Sequence, residues 1–247
     1  MIYASPVKLK FRRLKNSRVT RYLIILDRFK NSMTSAIVLG GSRGIGKAIA
    51  ESLKSIDIDV FAASKNDIDT SDLDSVRRFL EKHTQTDILV LNTGGPAPKP
   101  FHTITEDDWK SYHNQLFLGF VTILQNIKIN DNGYIFLISS SVIKEPNMKL
   151  IISSAYRAAF AEVFKVLSKE YAQKNISCVN IAPGPINTDR TQDLIENIEE
   201  YKKSLPMKRL GEPQEVGNFV KAIIENKIKY LSGVTINFDG ANSNYIF

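Results

Sequence analysis

The segment AIVLGGSRGIGKAIAESL (residues 36–53) constrains the fold more than any other part of the chain. An apolar run enters a turn bearing Gly40, Gly44 and Gly46. It leaves as a helix in which Ile45, Ile49, Leu53 and Ile56 recur every three or four residues. Glycine is required where a turn is tight, where backbone must approach a diphosphate, and where a helix packs closely on the strand before it. The helix N-terminus then faces the phosphates with its partial positive charge. With a strand before it and an amphipathic helix after it, this turn is expected to bind a dinucleotide through Gly40, Ser42, Arg43, Gly44, Ile45 and Gly46.

Further along, DVFAA, DILVL, GYIFLIS, ISCVNIA and GVTINF read as strands, separated by segments of helical periodicity. Strands alternating with helices imply a parallel sheet covered on both faces. The expected fold is therefore a single α/β domain, a Rossmann-type doubly wound parallel sheet, over residues 33–247. Cys178 is the only cysteine, which excludes an internal disulfide and a cysteine-based metal cluster and suggests a cytoplasmic protein. His83, His102 and His113 have no partners at metal-ligand spacing, so no metal site is expected.

The net charge of +7 comes from one end of the chain. Residues 1–32 hold nine lysines and arginines against Asp27 alone, leaving the remainder close to neutral. No nucleic-acid partner is expected for such a body. The leader's YLIIL run is too short to span a bilayer. Three readings stay open for it: a targeting peptide, a surface-binding helix, or sequence upstream of a natural start at Met33.

The second strand ends in SKNDIDTSD. An acid at this place holds the ribose 2′-hydroxyl of NAD, whereas a basic residue suits a 2′-phosphate. Ser64 and Lys65 stand there, with Arg43 in the glycine turn, which favours NADP(H) over NAD(H); nearby Asp67 keeps NAD(H) as the alternative. Few residues separate this strand end from Asp69, whereas a crossover carrying a helix needs a dozen or more. The helix that would follow the second strand is expected to be missing, with DID as at most a stub of a third strand.

Taken together, these segments resemble the short-chain dehydrogenase/reductase family from Ser35 to Asn242. The glycine turn matches its T-G-x-x-x-G-x-G pattern with Leu39 at the threonine. LNTGG is similar to its N-N-A-G, retaining Asn92 and Gly94, and PGPINT resembles the segment in which Ile186 and Thr188 meet the nicotinamide carboxamide. Asp69 resembles the aspartate that contacts adenine, and is equally suited to capping a helix. NTGGPAP and SSSVIKEP are similar to a 3-oxoacyl-reductase-like branch with arginine where lysine is usual. The stretch DRTQDLIENIEEYKKSLPM resembles the family's mobile substrate lid.

The resemblance implies an NADP(H)-dependent interconversion of a small carbonyl or alcohol substrate by a homodimer or homotetramer. It also implies an Asn-Ser-Tyr-Lys tetrad, and here the chain departs. Counting back without a gap from Ala182-Pro183-Gly184 places Arg157 at the lysine and Ser153 at the tyrosine. Ser140 falls at the serine, and Leu116 at the asparagine. Arginine can bind ribose but differs from lysine in shape and hydration. A serine hydroxyl is a far poorer proton donor than a phenol near pH 7. Tyr156, one helical turn after Ser153, is the candidate replacement donor, biased by Arg157; its bland alternative is packing. A silent dinucleotide-binding protein is the competing class.

Overall fold

The computed structural model describes residues 34–245. The leader, and every reading made of it, lies outside the described residues. The first strand, β1 (Ser35–Leu39), is followed by α1 (Gly44–Lys54), β2 (Asp59–Ala63), α2 (Leu73–Lys82) and β3 (Gln85–Leu91). A second set follows: α3 (Glu106–His113), α4 (Gly119–Asn126), β4 (Lys128–Ile138), α5 (Ile151–Ala172) and β5 (Ser177–Pro183). The chain closes with α6 (Asp189–Leu194), α7 (Ile198–Ser204), α8 (Pro213–Glu225) and β6 (Val234–Phe238). All strand pairs are parallel, in the order β2-β1-β3-β4-β5-β6.

Strands buried on both faces read as unbroken apolar runs, and the period of two along each run sorts its side chains between two cores. Ile37, Leu39, Leu89, Leu91, Ile135 and Leu137 face one layer, where Val76 and Phe79 of α2, Phe120 and Ile123 of α4, and Phe160 and Phe164 of α5 cover them. On the other face Val38, Val90, Phe136 and Ile181 meet Ile49 and Leu53 of α1 and Val216, Val220 and Ile223 of α8. At the α1–α8 contact a Cβ on Gly217 would lie 2.6 Å from the Ala48 carbonyl oxygen, so the approach of these helices needs a glycine.

The missing crossover is present as a structural fact: residues 64–72 form turns, and β2 is an edge of the sheet. No strand forms at DID, within the expectation of at most a stub. Phe61 on that edge is 38% exposed, its ring 4.4 Å from that of His83. Strand β4 begins at Lys128, earlier than the GYIFLIS run suggests. Its first residues pair with Gln85 and Thr86 before the register shifts, and Asn132 takes a left-handed φ of 64°.

Candidate active site

The carboxyl ends of β1, β3 and β4 form one rim of the sheet, and the glycine turn fills its first corner. Gly40 and Gly44 have φ of 59° and 54°, the left-handed region that other residues adopt at a cost. A Cβ on Gly46 would lie 2.2 Å from the Gly40 carbonyl oxygen and 2.7 Å from Asn92 Nδ2. That amide donates to the carbonyls of Leu39 and Gly40 at 3.2 and 3.4 Å, tying the end of β3 to the turn. Helix α1 starts with no side-chain cap and no acid in its first turn, so its first N–H groups remain available to an anion. The cradle therefore fits a dinucleotide diphosphate. Ser42 and Arg43 are exposed and Ile45 half-buried on its rim. Thr188 caps α6, and its methyl group would be 3.3 Å from a Cβ on Gly44, which brings this loop to the turn. Ile186 is buried and bridges to Gly211.

At the end of β2, Asp67 accepts from both the backbone N–H and the hydroxyl of Ser64, at 2.8 and 2.6 Å. Those bonds hold its carboxyl below the usual range, so it is an anion already committed to its own turn. Asp69 accepts from the N–H and hydroxyl of Ser71, and Lys65 lies 3.3 Å from it across an exposed ion pair. Lys65 thus brings positive charge to this turn, and neither nearby acid stands free of a local partner.

The second corner is built around Arg157. Its guanidinium has five N–H donors and makes five hydrogen bonds. Nε donates to Ser153 Oγ at 3.3 Å. Nη1 donates to the carbonyls of Ile138 and Ser139 at 3.2 and 3.4 Å, and Nη2 to those of Thr93 and Gly94 at 3.0 and 3.1 Å. Burial, with the nearby charge of Arg190, pushes its pKa down to about 10, which leaves it protonated at neutral pH. Arg157 therefore clasps the ends of β3 and β4, and within this structure it has no donor left over for ribose.

Ser153 and Arg157 are four residues apart and share a helix face, whereas Tyr156 and Arg157 differ by 100° around the axis. The tyrosine accordingly donates to the Trp109 carbonyl at 3.1 Å, its ring edge-on to Trp109 and His113. It makes no hydrogen bond to Arg157 among the described residues. Ser140 is half-exposed at the end of β4, next to the Ser139 carbonyl held by Arg157, and caps a short 3₁₀ turn at Ser141–Ile143.

Two further residues emerge: Gln115, which ordinary helical angles set aside in favour of Leu116, and Arg190, which the sequence reading did not single out. Leu116 is buried, but it sits in a π-turn, Asn114–Leu118, where the usual helical angles fail. Single π-turns are frequent at functional sites. This one directs Gln115 Nε2 to Thr93 Oγ1 and the Gly94 carbonyl, at 3.2 and 3.3 Å. Arg190, two positions after Thr188, reaches from α6 to the Pro96 carbonyl at 2.6 Å. Its position beside a recognisable threonine was the available signal; the distant backbone acceptor had none.

Comparison with known proteins agrees with this architecture. A family model described as enoyl-(acyl carrier protein) reductase matches residues 69–241. The 3-oxoacyl-[acyl-carrier-protein] reductase of Chlamydia pneumoniae is 30% identical, the match covering 83% of this chain and 94% of that protein. The NADPH-dependent reductase BacG of Bacillus subtilis is 26% identical, covering 85% and 98%. Among solved structures, YwfH, an NADPH-dependent reductase involved in bacilysin biosynthesis, superposes with a TM-score of 0.76 at 25% identity, covering 87% of this chain and all of that one. A blue fluorescent protein in complex with NADPH reaches the same TM-score at 24% identity and shares the fold. With its parallel sheet, its glycine cradle and these relatives, the chain belongs to the short-chain dehydrogenase/reductase family, in its 3-oxoacyl-reductase-like part.

Proposed function

We propose that this oxidoreductase uses NADP(H) to interconvert a small carbonyl compound and its alcohol, with serine hydroxyls in place of the family's phenol. The observation that carries the cofactor choice is the end of β2, where Asp67 is engaged by Ser64 while Lys65 stands in the same turn and Arg43 is exposed on the glycine turn. Relatives described as NADPH-dependent support the same choice. In this reading the glycine turn and the start of α1 receive the diphosphate, Asn92 and Gly94 border the ribose, and Ile186 and Thr188 border the nicotinamide. The bound cofactor supplies or accepts the hydride.

The chain's own part is to hold and polarise the substrate oxygen. Ser153 accepts from Arg157 Nε, which leaves its own O–H to donate and makes that hydrogen bond stronger through the adjacent charge. Ser140 offers a second hydroxyl at the end of β4. Tyr156 acts through packing on α3. The exposed Val166 of α5 suits a homodimer or homotetramer face. The saturated Arg157 and the buried Leu116 also favour a second reading, a dinucleotide-binding protein without turnover.

Fluorescence titration with NADPH and NADH, followed by a carbonyl panel read by loss of cofactor absorbance, separates these readings. Tighter NADPH binding with turnover supports the reductase; binding without turnover across the panel supports the silent form. Ser153→Ala should lower kcat by about 100-fold, within the range of a lost acid–base contribution. Tyr156→Phe should keep kcat within about twofold. The opposite pattern would return the proton-donor role to Tyr156.

A further inference from the structure

Two arginines meet at one glycine. A Cβ on Gly95 would lie 3.4 Å from Arg157 Nη2, 3.6 Å from Arg190 Nη2 and 3.7 Å from Ser153 Oγ. Two guanidinium groups and the candidate catalytic hydroxyl therefore converge on the loop after β3. Like charges so placed repel each other: burial first, and then the charge of Arg190, lowers the pKa of Arg157, while burial and the charge of Arg43 lower that of Arg190. Among the described residues no carboxylate pairs with Arg157 or Arg190. Arg157 has used all its donors on backbone carbonyls and Ser153. Among the described residues Arg190 makes only the bond to Pro96, which leaves four of its five N–H groups without a partner there.

We propose that Arg190 is a substrate-binding residue that recognises a carboxylate, so that the site takes short 2- or 3-oxo acids or the corresponding hydroxy acids. A guanidinium fork is matched to a carboxylate in both shape and charge. With the substrate oxygen on Ser153, a carboxylate one or two carbons from that carbonyl falls toward Arg190. Arg157 adds positive potential from below without touching the ligand. The Pro96 bond places the arginine across the loop beforehand, which reduces the side-chain entropy lost on binding. The cofactor's diphosphate, the other anion near this rim, has its own cradle in the glycine turn. This inference rests on the reductase reading and assigns the substrate class of the same site.

Calorimetric titration of the full chain saturated with NADP⁺ tests it without turnover. The probes are 2-oxobutanoate and 3-oxobutanoate, each against its neutral amide. The acids should bind at least tenfold more tightly than their amides. Arg190→Gln should abolish that difference, Arg190→Lys should retain part of it, and the NADPH Kd should stay within about threefold in both. Equal binding of acid and amide, or no measurable binding of either acid, overturns the inference and leaves the reductase reading standing. A Gln variant that loses NADPH affinity while keeping the preference for acids assigns Arg190 to the cofactor and also overturns it. Failure of the wild-type chain to bind NADPH at all sinks the reductase reading itself, and this inference with it.

Discussion

The glycine turn after β1 and the arginine corner at the ends of β3 and β4 occupy the same rim, and they are secured by opposite means. In the turn, side chains are excluded: backbone stands so close to backbone that a Cβ on Gly46 would overlap the Gly40 carbonyl. In the corner a single side chain does the joining, as Arg157 collects carbonyls from two strands. A region built by exclusion tolerates almost no substitution and keeps its pattern in the sequence. A region built by donors can be refitted with a different residue that supplies as many. The cofactor end is therefore recognisable by eye, whereas the chemical end is not.

The largest test of this contrast is Arg157→Ala. Four carbonyl oxygens and Ser153 lose a buried partner together, and at about 1–3 kcal/mol for an unsatisfied buried group the loss should reach about 3 kcal/mol in urea unfolding. Arg157→Lys has at most three donors and should lose about 1–3 kcal/mol. A lysine variant as stable as the wild type, with faster turnover, would break the comparison by showing an ordinary family site.

Gly46→Ala probes the other corner. Overpacking against backbone should cost about 1–3 kcal/mol and raise the NADPH Kd at least tenfold, on the order of 1.4 kcal/mol. Binding is the sharper readout, because the Arg157 variants should lose stability before affinity. An alanine variant with unchanged NADPH affinity would separate the turn from the cofactor.

The smallest effect comes from an exposed ion pair at the start of α8, Arg209–Glu215, and calibrates the others. Arg209, by its hydrogen bonds to the carboxylate, and then the Glu212 N–H hold the Glu215 carboxyl at about 2, below its ordinary 4.5. A carboxyl depressed in the folded state contributes fully above pH 4.5 and loses that contribution as the pH falls toward 2. Glu215→Gln should flatten the acid-induced fall in stability over that window. Being exposed and screened by solvent, the pair should give the smallest change of the series. An acid-unfolding profile identical to the wild type would remove the pair from the account.

How far these features were legible follows from their physics. The strand runs were visible because a parallel sheet is buried on both faces, and the missing crossover because too few residues separate Ala63 from Leu73 to hold a helix. The start of β4 was hidden by Asn130, Asp131 and Asn132, which carry turn chemistry and in fact form a bulged entry to the strand. At the site, counting from Ala182 singled out Ser153 and Arg157, which the structure joins by a hydrogen bond, whereas Tyr156, one helical turn on, drew attention by its phenol and turns to Trp109 instead. Arg157's partners could not be read, since a backbone carbonyl has the same signature at every position. Gln115 was hidden for a related reason: one extra residue in a helical turn changes where each side chain points without changing the residues themselves.

The clasp at Arg157 makes one guanidinium a joint of the sheet rim. Five bonds depend on it, so lysine, with three donors at most, would leave at least two of the acceptors on Thr93, Gly94, Ile138, Ser139 and Ser153 without a partner. Putting back the residue usual in the family would therefore not by itself put back the family's site.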